Sequence, residues 1–286
     1  ESELSGIATS GNFALAKPLN LTTAYTTAVA NINFTGTLDG LGNTVNRMNI
    51  SASAAGAYGL FANVSGSAIL RNLGVTNAVI KMAALSGTYA SGMLVGRMTA
   101  GTVTIEQVWS SGLINTSGVI SAVSVGGIIG NAAGGSLTIS KSWSSTNIDT
   151  SLTGTSTSLE QGGIIGGDEA TLPQASTLSG AVVYLNQVYS NGNLKWASTM
   201  HRGIGGLFGL HYNTTAGSTI TDSFSWATMS GPTGNVGGAV GVAASSSLSL
   251  TRVYQASYSI CVAAGSVGFS ATPSCDTQQT AGSAVT

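Results

Sequence analysis

Gly126-Gly127-Ile128-Ile129-Gly130-Asn131-Ala132-Ala133-Gly134-Gly135-Ser136-Leu137-Thr138-Ile139-Ser140-Lys141-Ser142-Trp143 is the stretch on which the reading of this chain turns. It opens with two aliphatic residues bracketed by glycine. It closes with Leu137, Ile139 and Trp143 at odd positions and polar residues between them, the alternation of a half-buried strand. The Ile139 to Trp143 spacing of four would also suit a helix face, but the residues between and around them are Thr138, Ser140, Lys141 and Ser142, and β-branched side chains favour a pleated surface. Strands are the better reading, with Ile139 and Trp143 on one face.

Both halves of the stretch recur. The glycine unit reads Tyr58-Gly59-Leu60-Phe61-Ala62, Gly92-Met93-Leu94-Val95-Gly96, Gly126-Gly127-Ile128-Ile129-Gly130, Gly162-Gly163-Ile164-Ile165-Gly166, Gly205-Gly206-Leu207-Phe208-Gly209 and Gly237-Gly238-Ala239-Val240-Gly241. From Ala62 to Gly241 its last positions step by 34, 34, 36, 43 and 32 residues. The second unit pairs Ile69 with Leu73, Ile105 with Trp109, Ile139 with Trp143, Leu185 with Tyr189, Ile220 with Phe224 and Leu250 with Tyr254. A repeat of this size made of short strands cannot bury its own apolar face, so it must stack on its neighbours.

The expected fold is therefore all-β, a parallel β-helix or β-solenoid of about six to eight coils, right-handed. Repeated residues would line up one coil apart, about 4.8 Å. Leu73, Trp109, Trp143, Tyr189, Phe224 and Tyr254 would form a core ladder, and the glycines would supply positive-φ corners and close backbone approach. The step of 43 puts its excess in a loop from Asp168 to Ala181 that contains Pro173. Residues 1–258 read as the solenoid, with the repeats from about 56, and 259–286 as a C-terminal tail for capping or subunit contact. Within the tail, Cys261 and Cys275 would close a loop of about 15 residues in an oxidising compartment, worth about 3 kcal/mol in the chain-entropy model.

Composition narrows the function. Charged residues are 7% of the 286 positions, against roughly 25% in an average soluble protein. The formal charge of −1 removes the electrostatic attraction that nucleic acids and anionic membranes require. No stretch approaches the ~18 consecutive apolar residues of a membrane-spanning helix. The chain begins Glu1-Ser2-Glu3-Leu4, without an initiator Met or signal sequence, which reads as removal of a signal peptide.

These repeats resemble the GLUG-motif proteins and the β-helical shafts of filamentous-haemagglutinin-type bacterial surface adhesins. The resemblance rests on Phe34-Thr35-Gly36-Thr37-Leu38-Asp39-Gly40-Leu41-Gly42-Asn43-Thr44-Val45, on Asn12-Phe13-Ala14-Leu15 before it, and on the Gly-Leu-Phe units. It spans about Asn12 to about Tyr258. It implies an extracellular, cell-surface bacterial repeat protein with a structural or adhesive role. The partners it suggests are further copies of the chain stacked head to tail, other surface proteins, or glycans. A solenoid end must be capped or it pairs with another chain, and neither terminus shows a charged, Pro-rich or helical cap. Head-to-tail stacking would then generate a fibre.

β-Helices also carry polysaccharide lyases and glycoside hydrolases, which need facing carboxylates or metal ligands. The ten acidic residues, Glu1, Glu3, Asp39, Glu106, Asp149, Glu160, Asp168, Glu169, Asp222 and Asp276, are scattered. Glu106 and Asp222 read as solvated strand residues, and Asp168 with Glu169 as exposed loop charge. His201 and His211 flank the fifth glycine unit without a carboxylate or Cys nearby in sequence, so they read as loop or edge histidines. The expectation is a protein with no enzymatic activity, no catalytic or metal site and no cofactor. The alternative is a carbohydrate-binding module or polysaccharide-active enzyme, using Tyr25, Tyr58, Tyr89, Trp196, Tyr212 or Trp226 wherever these are exposed. Asn-x-Ser/Thr sequons start at Asn20, Asn33, Asn49, Asn63, Asn115 and Asn213. Mixed outward positions, rather than one Thr array, argue against an ice-binding face.

Overall fold

The computed structural model describes residues 2–52, 54–83, 87–117, 122–151, 158–170, 180–197, 201–213, 217–232, 235–243 and 248–255. Cys261, Cys275 and the expected tail 259–286 lie outside the described residues. The chain is an all-β parallel solenoid of about six turns. Among the described residues every strand pairing is parallel, and the strands assemble into sheets of 16, 6 and 7 strands. Among the described residues no helix is long and apolar enough to cross a membrane.

One coil shows how the repeat folds. Ala122–Gly126 belongs to the six-stranded sheet and Ile129–Ala132 to the seven-stranded one. Ser136–Ser140 and Trp143–Ser151 both lie in the large sheet. The first two strands fold back on each other through the glycine unit. They pack almost backbone to backbone: a Cβ added at Gly126 would fall 1.9 Å from the Ile129 carbonyl oxygen, and one at Gly130 would fall 2.3 Å from the Ser91 nitrogen.

The repeat glycines therefore serve close approach alone. None of Gly59, Gly92, Gly96, Gly126, Gly127, Gly130, Gly162, Gly163, Gly166, Gly205, Gly206, Gly209, Gly237, Gly238 and Gly241 has positive φ, which corrects the expected corner role. The second glycine of each Gly-Gly pair faces a side chain from the opposite wall. Gly127 meets Ser144, Gly163 meets Ser190 and Gly206 meets Ser225, each near enough that a Cβ would overlap the serine hydroxyl. Ser190 donates to the Gly206 carbonyl, and Ser110 to that of Gly127 at 2.8 Å.

Left-handed corners fall on Asn72, Gln107, Lys141, Gln187, Asp222 and Arg252, with φ between 49° and 54°, and on glycines outside those units, Gly66, Gly101 and Gly135, with φ of 64°, 85° and 84°. This moves the aromatic residues. In Ile105-Glu106-Gln107-Val108-Trp109, Ile105 and Val108 point inward, and Gln107 turns the chain, so Trp109 points outward. Strict alternation would have put Ile105 and Trp109 on one face. One left-handed residue shifts the phase by one.

The core column is consequently Leu38, Leu70, Ile105, Ile139, Leu185, Ile220 and Leu250, in register from coil to coil and all buried. Of the expected core ladder only Leu73 is buried, stacking on Val108. Leu70, not Ile69, is the counterpart of Ile105. Trp109, Trp143, Tyr189, Phe224 and Tyr254 form a column on the outer face, in register with one another. The N-terminal end carries a short helix, Ser2–Ser5, with Leu4 and Ile7 buried against the first coil. The expectation of an uncapped N-terminal end is corrected by those two side chains.

Candidate functional site

Two features depart from the repeat: a buried polar cluster in the middle coils and the outer aromatic column. The cluster starts where the chain leaves the coil after Ile165–Gly167. Gly180 lies against the same point, since a Cβ added there would overlap the Asp168 carbonyl oxygen. Asp168 and Glu169, expected as exposed loop charge, are 0% and 1% exposed.

Glu160 sits on Ser158–Gly162, in register with Ser124 on one side and Gly203 on the other. Across from it run Asn131 and Gly167, and the absent side chain of Gly167 makes the room: a Cβ there would lie 2.0 Å from Glu160 Oε2. Arg202 arrives through a bulge. Leu159 pairs with His201 and Glu160 with Gly203, so Arg202 is an extra residue in the ladder. Bulges redirect a side chain in this way. Arg202 Nη1 lies 3.5 Å from Glu160 Oε1 and in close contact with Glu169 Oε1, with its guanidinium 5.9 Å from the Tyr212 ring centroid.

Beside this trio His211 Nδ1 stands 2.6 Å from Asp168 Oδ2, and the Tyr212 amide donates to Asp168 Oδ1 at 2.5 Å. Both side chains of the His–Asp pair are fully buried. His201 is also buried, edge-on to Trp196. Arg97 Nη2 donates to the Ala170 carbonyl at 2.7 Å and ties down the start of the excursion. The reading of His201 and His211 as loop or edge residues is thus corrected: both lie on strands, and the carboxylate for His211 comes from the preceding coil. No signal in the linear order announces this, because coil stacking brings the partners together.

Electrostatics follow from burial. Loss of water pushes the Glu160 carboxyl well above the ordinary glutamate range, the Glu169 charge adds to that, and Arg202 opposes it. Glu169 is pushed up by the same desolvation, again against Arg202. Two carboxylates facing one guanidinium form an acid pair with raised proton affinity, and Asp168 orients an imidazole. These are elements of acid–base chemistry, here in contact with one another and shielded from solvent. Among the described residues no group of three or more Asp, Glu, His or Cys side chains is placed to hold a metal ion.

The aromatic column is a different surface. Trp143 and Tyr189 stack at 5.6 Å and 7°, and Tyr189 and Phe224 at 4.9 Å and 1°. Phe224 is 41% exposed, Tyr184 38% and Trp226 62%. Of the residues weighed for sugar stacking, Tyr58, Tyr89, Trp196 and Tyr212 are buried and Tyr25 is partly so, which leaves Trp226. Glu106 and Asp222 lie on strands and are partly exposed, paired to Lys141 at 2.9 Å and to Arg252. Asn213 is fully buried and donates to the Ala181 carbonyl, so the folded chain does not offer that sequon to glycosylation.

No protein-family model matches the chain, and no curated protein matches it. A solved structure described as a putative immunoglobulin A1 protease from Bacteroides ovatus is similar, with a TM-score of 0.65 and 19% identity, over 95% of this chain and 78% of that one. The likeness is one of fold. That protease name on the same solenoid, together with the carboxylates, arginine and histidine gathered in the middle coils, overturns the expectation that the chain has no enzymatic activity.

Proposed function

We propose that this chain is the solenoid of an extracellular bacterial surface protein, with a structural and adhesive role, and that its outer aromatic column is the contact face. One observation carries the reading. Phe224, in register with the stacked Trp143 and Tyr189 on the large sheet, Trp226 just past its strand Ser218–Ser225, and Tyr184 on the neighbouring strand Val182–Asn186 are large and exposed. Exposed apolar patches of this kind mark interaction surfaces. Both ring faces of Tyr189 are used in stacking, so the exposed Phe224 and Trp226 are the rings the surface offers, which suits a protein or a neutral glycan. The resemblance of the repeats to GLUG-motif and haemagglutinin-type adhesins supports placement at the cell surface. Self-association head to tail would use the last described strand, Leu248–Gln255, which among the described residues pairs with Ser218–Ser225 alone.

The test is binding of the labelled intact chain to arrayed glycans and to host-cell surfaces. A Phe224→Ser/Trp226→Ser double variant with unchanged circular dichroism and Tm should lose at least about tenfold in affinity. Equal binding by the double variant removes the aromatic face from the proposal. Electron microscopy of the native material tests the filament, and monomers alone at high concentration would overturn it.

A second reading is proteolysis, supported by the neighbour's name and by the acid pair and His–Asp pair. Incubation with immunoglobulin A1 and with unfolded casein, followed by mass spectrometry of fragments, tests it. Cleavage abolished by His211→Asn and by Glu169→Gln would carry it, and intact substrate would end it.

A further inference from the structure

We propose that Glu160 and Glu169 hold one proton between them beside Arg202 at neutral pH, which makes the middle of the solenoid a pH-sensitive joint. The geometry carries this. Two carboxylates, 0% and 1% exposed, face a single guanidinium, and two like charges in a shielded site cannot both ionise cheaply.

The remaining charged and titratable groups packed around the pair have other engagements. Asp168 faces His211 and the Tyr212 amide. Arg97 is committed to the Ala170 carbonyl. His201 packs on Trp196, and Tyr212 lies under Arg202. Ser124 and Asn131, from the preceding coil, add only neutral polar groups. One net negative charge against Arg202 leaves the pair balanced, and one proton held by the pair achieves it.

The consequence has a sign. Unfolded glutamates release their protons around the ordinary value of 4.5, whereas the buried pair retains one to higher pH. The folded chain thus binds more protons than the unfolded chain above that value, and stability falls as pH rises until the pair itself ionises. Once it has, two charges oppose each other across Arg202, and the tie between Glu169 and Arg202 is weakened. Acidification to mildly acid pH tightens the joint, and alkalinity loosens it. The pair titrates as a unit, so the proton belongs to neither residue alone.

The experiment is thermal and urea unfolding of the intact chain at fixed ionic strength from about pH 5 to about pH 9, for wild type and Glu160→Gln, with infrared spectra of both. The variant keeps every histidine, so the difference in slope isolates the pair. For wild type the unfolding constant should rise relative to the variant by up to about tenfold per pH unit, the limit for one proton. Glu160→Gln should be the more stable protein at the alkaline end. The carbonyl stretch of a protonated carboxylic acid should be present at neutral pH in wild type and lost in the variant. Parallel pH profiles, or absence of that band, would overturn the proposal. Glu169→Gln serves as the second variant if Glu160→Gln does not fold, and should give the same flattening.

Discussion

The Ile139 column and the Glu160 cluster lie at similar depth in one solenoid, yet they are held by different physics. In the column each coil contributes one aliphatic side chain that touches its counterparts above and below. Its stabilisation is spread over the whole rod as a sum of neighbour contacts. In the cluster a single bulge, a single missing side chain at Gly167 and a single excursion place five polar groups once. Its stability is concentrated in Arg202, whose removal strands two buried carboxyl groups. Repetition makes a structure tolerant, and a unique buried network makes it switchable.

Substitutions sharpen the contrast, beginning with the glycine turns both regions share. Gly162→Val should abolish cooperative folding, a loss above about 4–5 kcal/mol, because a Cβ there would lie 1.9 Å from the Ile165 carbonyl oxygen. Gly56→Ala, whose nearest contact would be 3.6 Å, should stay within about 0.5 kcal/mol. Urea titration of the two variants measures both.

Arg202→Met should cost about 3–5 kcal/mol. Adding Glu160→Gln should restore part of that, and strict additivity in the double-mutant cycle would contradict the shared network. Ile139→Ala should cost about 2–5 kcal/mol by cavity formation, with no dependence on pH, in contrast to the cluster. Tyr189→Ser removes two stacking contacts and should cost about 1–3 kcal/mol, with loss of near-ultraviolet dichroism from Trp143 and its neighbours. Lys141→Gln breaks an exposed pair with Glu106 and should cost less than about 1 kcal/mol, vanishing in high salt.

Much of this architecture is legible in the order of residues. The glycine-bracketed units mark the back-folded strands, the spacing of Ile105, Ile139, Leu185, Ile220 and Leu250 marks the coil, and the long step locates the excursion after Asp168. The facing of Trp109, Trp143, Tyr189, Phe224 and Tyr254 is not legible by alternation, because a left-handed residue such as Gln107 or Lys141 takes one place out of the count. Lys, Gln and Arg at that position give little warning, since glycine, asparagine and aspartate are the usual occupants of that conformation. The serines opposite Gly127, Gly163 and Gly206 did leave a trace: Gly-Gly pairs occur in the coils where Ser144, Ser190 and Ser225 face them.

By itself the sequence determined the all-β class, the parallel coil and the aliphatic column. Each of these follows from local alternation repeated at one period, and repetition multiplies a weak local signal. Only the tertiary structure decided which face the aromatic residues occupy and that Glu160, Glu169, Arg202, Asp168 and His211 meet. The first depends on the backbone angle of a single residue per coil. The second depends on parallel register between coils and on one bulge, contacts that join residues far apart in the chain and occur once.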